Sequence, residues 1–229
     1  MSKGRNGGGP QRPGARGARA PAKRDPAGTR DRILRAAIRE FARHGFGGAR
    51  VQAICRAASA NPRMIYHYFG DKAGLYVAAL EHVFEALRAH ELKLDVDHLA
   101  PLDAMLRLFH FVHGHFASHP EIITLLSAEN LVRARYLRRS KTVSAISSPV
   151  LGLIDRLLRK GVSAGVFRPG IDPFQLYVAM VALSFFHRSN AYTLSFMFDT
   201  DMRTPAWRAR QKRQAEDMLL RFVRSDGRA

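Results

Sequence analysis

The chain of 229 residues is long enough for one large domain, or for a small domain joined to a larger one, with a substantial buried core. Its 37 Lys and Arg residues against 19 Asp and Glu residues give a formal charge of +18, which favours a polyanionic partner such as nucleic acid or an anionic membrane. No apolar stretch is long enough to span a bilayer, and the single cysteine, Cys55, excludes an internal disulfide. We therefore expect a soluble, cytoplasmic protein with no membrane partner.

Residues 1–27 form a basic segment rich in Gly, Pro and Ala, with no apolar run. Such a composition cannot bury enough surface to offset the chain entropy, so we predict a disordered basic arm. The missing apolar core also argues against a secretory signal. Two interpretations of the arm stay open, namely a mobile contact to phosphates and a solvated tail.

From residue 28 onward the pattern is helical, so the sequence predicts an all-α fold. Asn61 and Pro62 mark one start clearly, because Asn caps free N–H groups and Pro suits the first helical position. Gly45 is expected to end the first helix in a left-handed conformation. A break at 97–101 separates two groups of helices, which we assign to domains at 28–92 and 93–225. The predicted helices are 28–44, 51–58, 62–69, 72–92, 101–118, 120–138, 148–164, 172–198 and 205–224.

Two short helices joined by the three-residue turn 59–61 are typical of a helix-turn-helix, whose second helix enters the major groove of DNA. On that second helix, Ile65 and Phe69 are expected to face the core. Arg63, Met64 and His67 are then expected to face outward, and the guanidinium of Arg63 matches the two acceptors of guanine.

Four further side chains are candidates for DNA contact. Tyr66 and Tyr68 can offer hydroxyls to phosphate and ring surface to a thymine methyl, while Lys72 and Arg50 begin helices beside the predicted groove contact. The alternatives are that both tyrosines are core residues with polar tips and that Lys72 is a solvated charge.

The segment 29–76 resembles the DNA-binding domain of the TetR family, most specifically in Ile65-Tyr66-His67-Tyr68-Phe69 followed by Lys72. The resemblance implies that Arg63, Met64 and Tyr66 contact bases and that Tyr68 and Lys72 contact phosphates. Two departures stand out: Ser59-Ala60 replaces the usual Gly-Val, which predicts strain in the turn, and Arg50 replaces a Ser or Thr cap. The C-terminal half is similar to the branch of nicotinate-degradation repressors.

The helix 172–198 is apolar on more than one face, which indicates burial on two sides. Pairing with 205–224 and with a second copy would form a four-helix interface in a C-terminal ligand and dimerisation domain. A homodimer could place two recognition helices on the half-sites of a pseudo-palindromic operator in double-stranded DNA. The alternative is one monomeric core.

The family resemblance also implies a pocket for a small-molecule effector among helices 101–164. Ligand binding would release DNA if it favoured a spacing of the recognition helices that DNA cannot accept, and the protein would then be a repressor. Plain core packing is the alternative role of the candidate pocket residues, which are Phe109, His113, Phe116, Leu126, Phe185 and Phe186.

Enzymatic alternatives rest on two patterns. The run 161–165 matches G-x-S-x-G, but that motif needs a preceding strand and here a helix precedes it. His110, His113, His115 and His119 could serve a metal-dependent helical enzyme, although no H-E-x-x-H pair is present. We predict no catalytic residue, no metal and no cofactor. A third hypothesis is a non-specific nucleic-acid binder that acts through the arm 1–27.

Overall fold

A computed structural model describes Met1 and residues 26–91 and 93–225, but not the side chains of Pro26, His90 and residues 144–148. Helices account for nearly all of this part of the chain, in which the only β-pairing is an isolated bridge between Phe167 and Arg224. The all-α prediction is confirmed. The α-helices are α1 (Pro26–Gly48), α2 (Val51–Ala58), α3 (Pro62–Phe69), α4 (Lys72–Glu91), α5 (Pro101–Ser118), α6 (Pro120–Leu131), α7 (Val143–Ser163), α8 (Pro173–Ser189), α9 (Ala191–Met197) and α10 (Pro205–Val223).

Helices α1 to α4 enclose the first part of the core, and α1 packs against both α2 and α4. Phe41 of α1 and Tyr76 of α4 meet edge to face, with 4.8 Å between their ring centroids. Ile54 from α2 and Ile65 from α3 are fully buried in the same cluster. Gly45 has a positive φ of 64°, as predicted, although one more turn then carries α1 to Gly48.

The C-terminal helices surround α5, which contacts α7, α8 and α10. Helix α4 also packs against α7, so it belongs to both halves of the molecule. Helix α6 lies between the halves, because it packs against α1 on one side and against α5 and α8 on the other. Helix α6 therefore contacts both halves of the molecule.

The predicted helix 120–138 is wrong in its C-terminal part, because α6 ends at Leu131. Arg133 and Ala134 both adopt positive φ values of 58°. The buried carboxylate of Glu129 accepts hydrogen bonds from the backbone N–H groups of Tyr136 and Leu137, at 3.1 and 2.9 Å. These bonds stabilise a turn, and a short 3₁₀ helix at Leu137–Arg139 follows.

Two other predicted boundaries are corrected. Helix α7 begins at Val143 rather than 148, and the hydroxyl of Ser140 accepts hydrogen bonds from the N–H groups of Thr142 and Val143 at its start. The predicted helix 172–198 is two helices that meet at Asn190, whose side-chain amide donates to the Phe186 carbonyl at 3.0 Å. Side chains thus satisfy backbone groups that a continuous helix would pair itself.

Candidate nucleic-acid interface

Helices α2 and α3 are joined by a tight turn that requires a left-handed residue. Ser59 has φ 49° and ψ 45°, the conformation that the missing glycine would accept without strain. The Ala60 N–H donates to the Cys55 carbonyl at 3.0 Å and closes the turn. The predicted strain at Ser59 is therefore present. Arg50 makes no side-chain cap at the start of α2, as its replacement of Ser or Thr suggested.

Both ends of α3 are held by the residues that the sequence singled out. The side chain of Asn61 accepts a hydrogen bond from the Arg63 N–H at 2.9 Å, and Pro62 occupies the first turn. Gly70 ends the helix with φ 78°, and its N–H donates to the Tyr66 carbonyl at 3.0 Å. Helix α3 therefore has the length that we predicted.

One side of α3 is fixed in the core and the other faces solvent. Ile65 is fully buried and Phe69 is half-buried, with the Arg30 guanidinium 5.3 Å from the Phe69 ring centroid. Arg63 and His67 are exposed one helical turn apart. Tyr66 is 58% exposed between them, and Met64 is half-buried beside this face.

The remaining DNA-contact candidates flank this face. The ring of Tyr68 is half-buried and lies 5.0 Å from that of His67. The Lys72 ammonium lies 3.4 Å from the Gly47 carbonyl and 4.9 Å from the Phe46 ring centroid, at the exposed end of α1. Arg50 is exposed, and its backbone N–H donates to Glu40.

The segment that forms α2, α3 and the turn between them has no acidic side chain, although Asp71 follows α3 and Glu40 lies beside Arg50. Residues 50–70 contain Arg50, Arg56 and Arg63 but no Asp or Glu. Exposed cationic and hydroxyl groups attract a polyanion, and a helix with one rigid face can present those groups in a fixed register. The arrangement is able to bind DNA.

The predicted pocket residues do not share one cavity. Phe109 is completely buried in the core, and His113 is buried against it with 5.9 Å between ring centroids. Phe116 lines a cavity of about 460 Å³, and the half-buried Phe185 packs edge to face on Phe116 at 5.7 Å. Phe186 is 58% exposed on the outer surface of α8. Leu126 is half-buried and packs against the core.

The four histidines of the metal hypothesis are spread over separate contacts. His110 Nε2 lies 2.8 Å from Glu216 Oε1, whereas His113 stacks on His187. The rings of His115 and His119 stack on each other at 4.3 Å. Among residues 26–91 and 93–225, no group of three or more His, Cys, Asp or Glu could hold a metal ion. The geometry therefore gives the metal-enzyme hypothesis no support. The run 161–165 forms the end of α7 rather than a strand-to-helix turn.

Sequence reasoning missed three arginines that meet at the cavity beside Phe116. Arg188 comes from α8, Arg208 comes from α10, and Arg203 precedes α10. In the sequence these arginines are scattered charges on different elements, so no local pattern could have found them.

No helix in the described part of the chain is long and apolar enough to cross a membrane.

A short, well-capped recognition helix on an otherwise helical body defines a DNA-binding regulator of the helix-turn-helix class. Two family profiles match the chain: "Bacterial regulatory proteins, tetR family" over residues 33–79, and "Tetracyclin repressor-like, C-terminal domain" over residues 101–219. The chain belongs to the TetR family, and the resemblance seen in the sequence is confirmed.

Among its relatives is the HTH-type transcriptional repressor NicS of Pseudomonas putida, which is 34% identical over 86% of this chain and 92% of NicS. The repressor SCO4008 of Streptomyces coelicolor is 39% identical over 48% of this chain and 54% of its own length. The crystal structure of SCO4942, a transcriptional regulator from the same organism, superposes with a TM-score of 0.61. That match has 26% identity and covers 83% of this chain and 97% of SCO4942.

Proposed function

We propose that this chain is a ligand-responsive repressor that binds a pseudo-palindromic operator as a homodimer and leaves it when a small molecule binds. The observation that carries the proposal is the exposed face of α3, where Arg63, Tyr66 and His67 project from a helix whose Ile65 is locked in the core. A rigid helix that presents a guanidinium suits the major groove. Because its partner is chromosomal DNA, the protein would act in the cytoplasm.

The homodimer is supported by apolar side chains that the single chain leaves exposed on α8 and α10. These helices pack against each other, with Leu176 and Leu219 buried. On their outer side, large hydrophobic residues remain between 45 and 58% exposed, and a second copy would cover them. They are Phe174, Val178, Phe186, Met218 and Phe222.

Release by a ligand is supported by the position of α6. This helix packs against α1, which in turn packs against α2 of the helix-turn-helix, and also against α8 of the C-terminal half. A ligand that binds more tightly to one arrangement of α6 would shift the population toward that arrangement. We also propose a DNA-binding domain at 28–92 and an effector and dimerisation domain at 93–225. The arm expected at 1–27 lies outside the described residues except for Met1 and for residues 26–27, which begin α1, and we propose that residues 2–25 add phosphate contacts.

The test is binding of the purified chain to labelled DNA from upstream of its own gene, with excess competitor DNA, across a salt series. Arg63→Ala is expected to weaken specific binding by about 5- to 150-fold, because a base contact contributes about 1–3 kcal/mol. Lys72→Ala should weaken specific and non-specific binding alike and reduce the salt slope by about one. Arg107→Ala, an exposed change on α5, is the matched control.

Two outcomes would overturn the proposal. Binding that competitor DNA removes completely, at this and other genomic sites, would leave only the sequence-independent electrostatic attraction. Unchanged affinity in Arg63→Ala would mean that α3 is not the reading helix. Deletion of residues 2–25, which leaves α1 intact, should weaken operator binding under our proposal and abolish it if the arm alone binds nucleic acid.

A further inference from the structure

Three arginines from different elements converge on the cavity of about 460 Å³ between α5, α6 and the segment α8–α10. Arg203 is already neutralised, because its guanidinium pairs with Asp201 at 2.9 Å and stacks on the Tyr192 ring at 5.1 Å. Arg188 and Arg208 form no ion pair within the described ranges. Asp201 also interacts electrostatically with Arg208, so this one carboxylate balances one of the three positive charges, and a net charge of about +2 remains at the cavity.

The energetic cost of this arrangement is clearest at Arg188. Its Nε is buried and has no hydrogen-bond partner among the residues that the structure describes. Burial and the neighbouring Arg208 both lower the pKa of the Arg188 guanidinium, and no acidic group counteracts them. A buried, unpaired donor costs free energy, and so do two like charges that share a cavity. An anion in the cavity would relieve both costs.

The remaining walls indicate what kind of anion fits. Phe116, Ile123 and Tyr192 supply apolar and aromatic surface, while Thr124, Ser127 and Ser189 place hydroxyl-bearing residues beside the arginines. The cavity is larger than a single inorganic ion requires. Guanidinium groups match the geometry of carboxylate and phosphate oxygens, and two unpaired guanidiniums balance two negative charges.

We propose that Arg188 and Arg208 bind the oxyanion end of a small organic dianion, such as a phosphate monoester or a dicarboxylate, whose apolar body lies against Phe116 and Tyr192. The proposal rests on the proposed function in one respect: this dianion would be the effector. Thr124 and Pro120 of α6 border the cavity, and they also line the cleft between α6 and α1. An occupant therefore touches the helix that packs against the DNA-binding half.

The experiment is calorimetric titration of the full chain with phenyl phosphate, benzoate, the uncharged benzamide and inorganic phosphate. Phenyl phosphate is expected to bind saturably, at least tenfold more tightly than benzamide, with benzoate between them. Arg188→Gln and Arg208→Gln should each lose at least tenfold in affinity for phenyl phosphate, and Arg107→Gln should bind it within twofold of the wild type.

Several results would overturn the proposal: equal affinity for phenyl phosphate and benzamide, unchanged binding in both cavity variants, or no saturable binding of phenyl phosphate. If inorganic phosphate binds as tightly as phenyl phosphate, the apolar part of the ligand contributes nothing and the proposal of an organic ligand is wrong. Thermal unfolding gives a readout that needs no ligand. Arg188→Gln should raise the unfolding midpoint by removing a buried, unpaired guanidinium N–H, and a lowered midpoint would show that Arg188 already has a structural partner.

Operator binding separates this proposal from the proposed function. Arg188→Gln and Arg208→Gln lie outside α3 and should retain the wild-type affinity for operator DNA. A wild-type chain that binds phenyl phosphate but no operator would overturn the proposed function alone. Retained operator binding without any anion binding would overturn the cavity proposal alone.

Discussion

His113 and His187 are buried against each other where α5 meets α8, with 5.8 Å between their ring centroids. Burial, reinforced by the charge of Arg188, lowers the pKa of each imidazole to about 4. Both rings are therefore neutral near neutral pH. Among the described residues, neither ring nitrogen of His187 has a partner that meets hydrogen-bond geometry, so a proton on this ring would be poorly accommodated.

This pair predicts how stability depends on pH. An unfolded histidine has a pKa of about 6.5, so between that value and about 4 the unfolded chain binds more protons than the native one. Stability should therefore fall as the pH drops below about 6.5 and level off below about 4. For each histidine, every pH unit by which the native pKa lies below the unfolded pKa lowers the free energy of unfolding in acid by about 1.4 kcal/mol.

The measurement is urea unfolding of the wild type and of His187→Phe across this pH range. His187→Phe should show a shallower fall in stability toward acid, whatever its stability at neutral pH. His98→Gln changes an exposed histidine near Asp95 and is the control. Equal pH slopes for the wild type and His187→Phe would contradict the assignment.

At the scale of elements, the turn between α2 and α3 stores backbone strain at Ser59. Ser59→Gly should stabilise the chain by about 0.5–1 kcal/mol, because the left-handed conformation costs a non-glycine residue about 1–2 kcal/mol and glycine's larger unfolded entropy offsets part of this. Urea unfolding measures the difference. Ala57→Gly, two residues earlier on helical α2, should instead destabilise by about 1 kcal/mol. A destabilised Ser59→Gly would show that the turn tolerates serine without strain.

The boundaries of α3 were predictable because every signal is local. Asn61 caps the helix, Pro62 begins it and Gly70 ends it, all within the helix or next to it. The end of α6 was not predictable in this way, because no Gly or Pro lies in residues 132–140, directly after Leu131. Its turn depends on the buried carboxylate of Glu129, which binds N–H groups seven and eight residues later.

The candidate sites show the same difference between local signals and contacts made only on folding. The exposed face of α3 follows from helical periodicity once Ile65 is assigned to the core. The cavity arginines could not be found in this way, because Arg188 and Arg208 become neighbours only when α8 and α10 pack together. Periodicity also could not tell that Phe186 lies on the surface while Phe109, on another apolar helix, is completely buried.

At the scale of the whole molecule, the apolar outer side of α8 and α10 sets the expected assembly. Val178 is 45% exposed in the middle of this surface, so Val178→Asp would place a charge where a second copy should pack. The variant is expected to run as a monomer by light scattering at micromolar concentration and to bind operator DNA at least tenfold more weakly.

Val132→Asp is the matched control, because Val132 is 44% exposed just after α6, in the turn whose Tyr136 packs against Phe46 of α1. It should remain dimeric and bind operator like the wild type. A Val178→Asp chain that stays dimeric would move the interface elsewhere on the molecule. If the wild-type chain is already monomeric, it cannot bind a pseudo-palindromic operator as a preformed dimer, and that part of the proposal is wrong.

Cys55, the only cysteine of the chain, is buried on α2, where burial raises the pKa of its thiol. The thiolate is the reactive form, so a thiol reagent should modify this residue only when the helix-turn-helix opens. The rate at which the reagent labels Cys55 therefore measures how often the DNA-reading unit opens locally. If DNA holds that unit closed, operator DNA should slow the labelling of Cys55, and the labelling rate would then report operator occupancy without any attached probe.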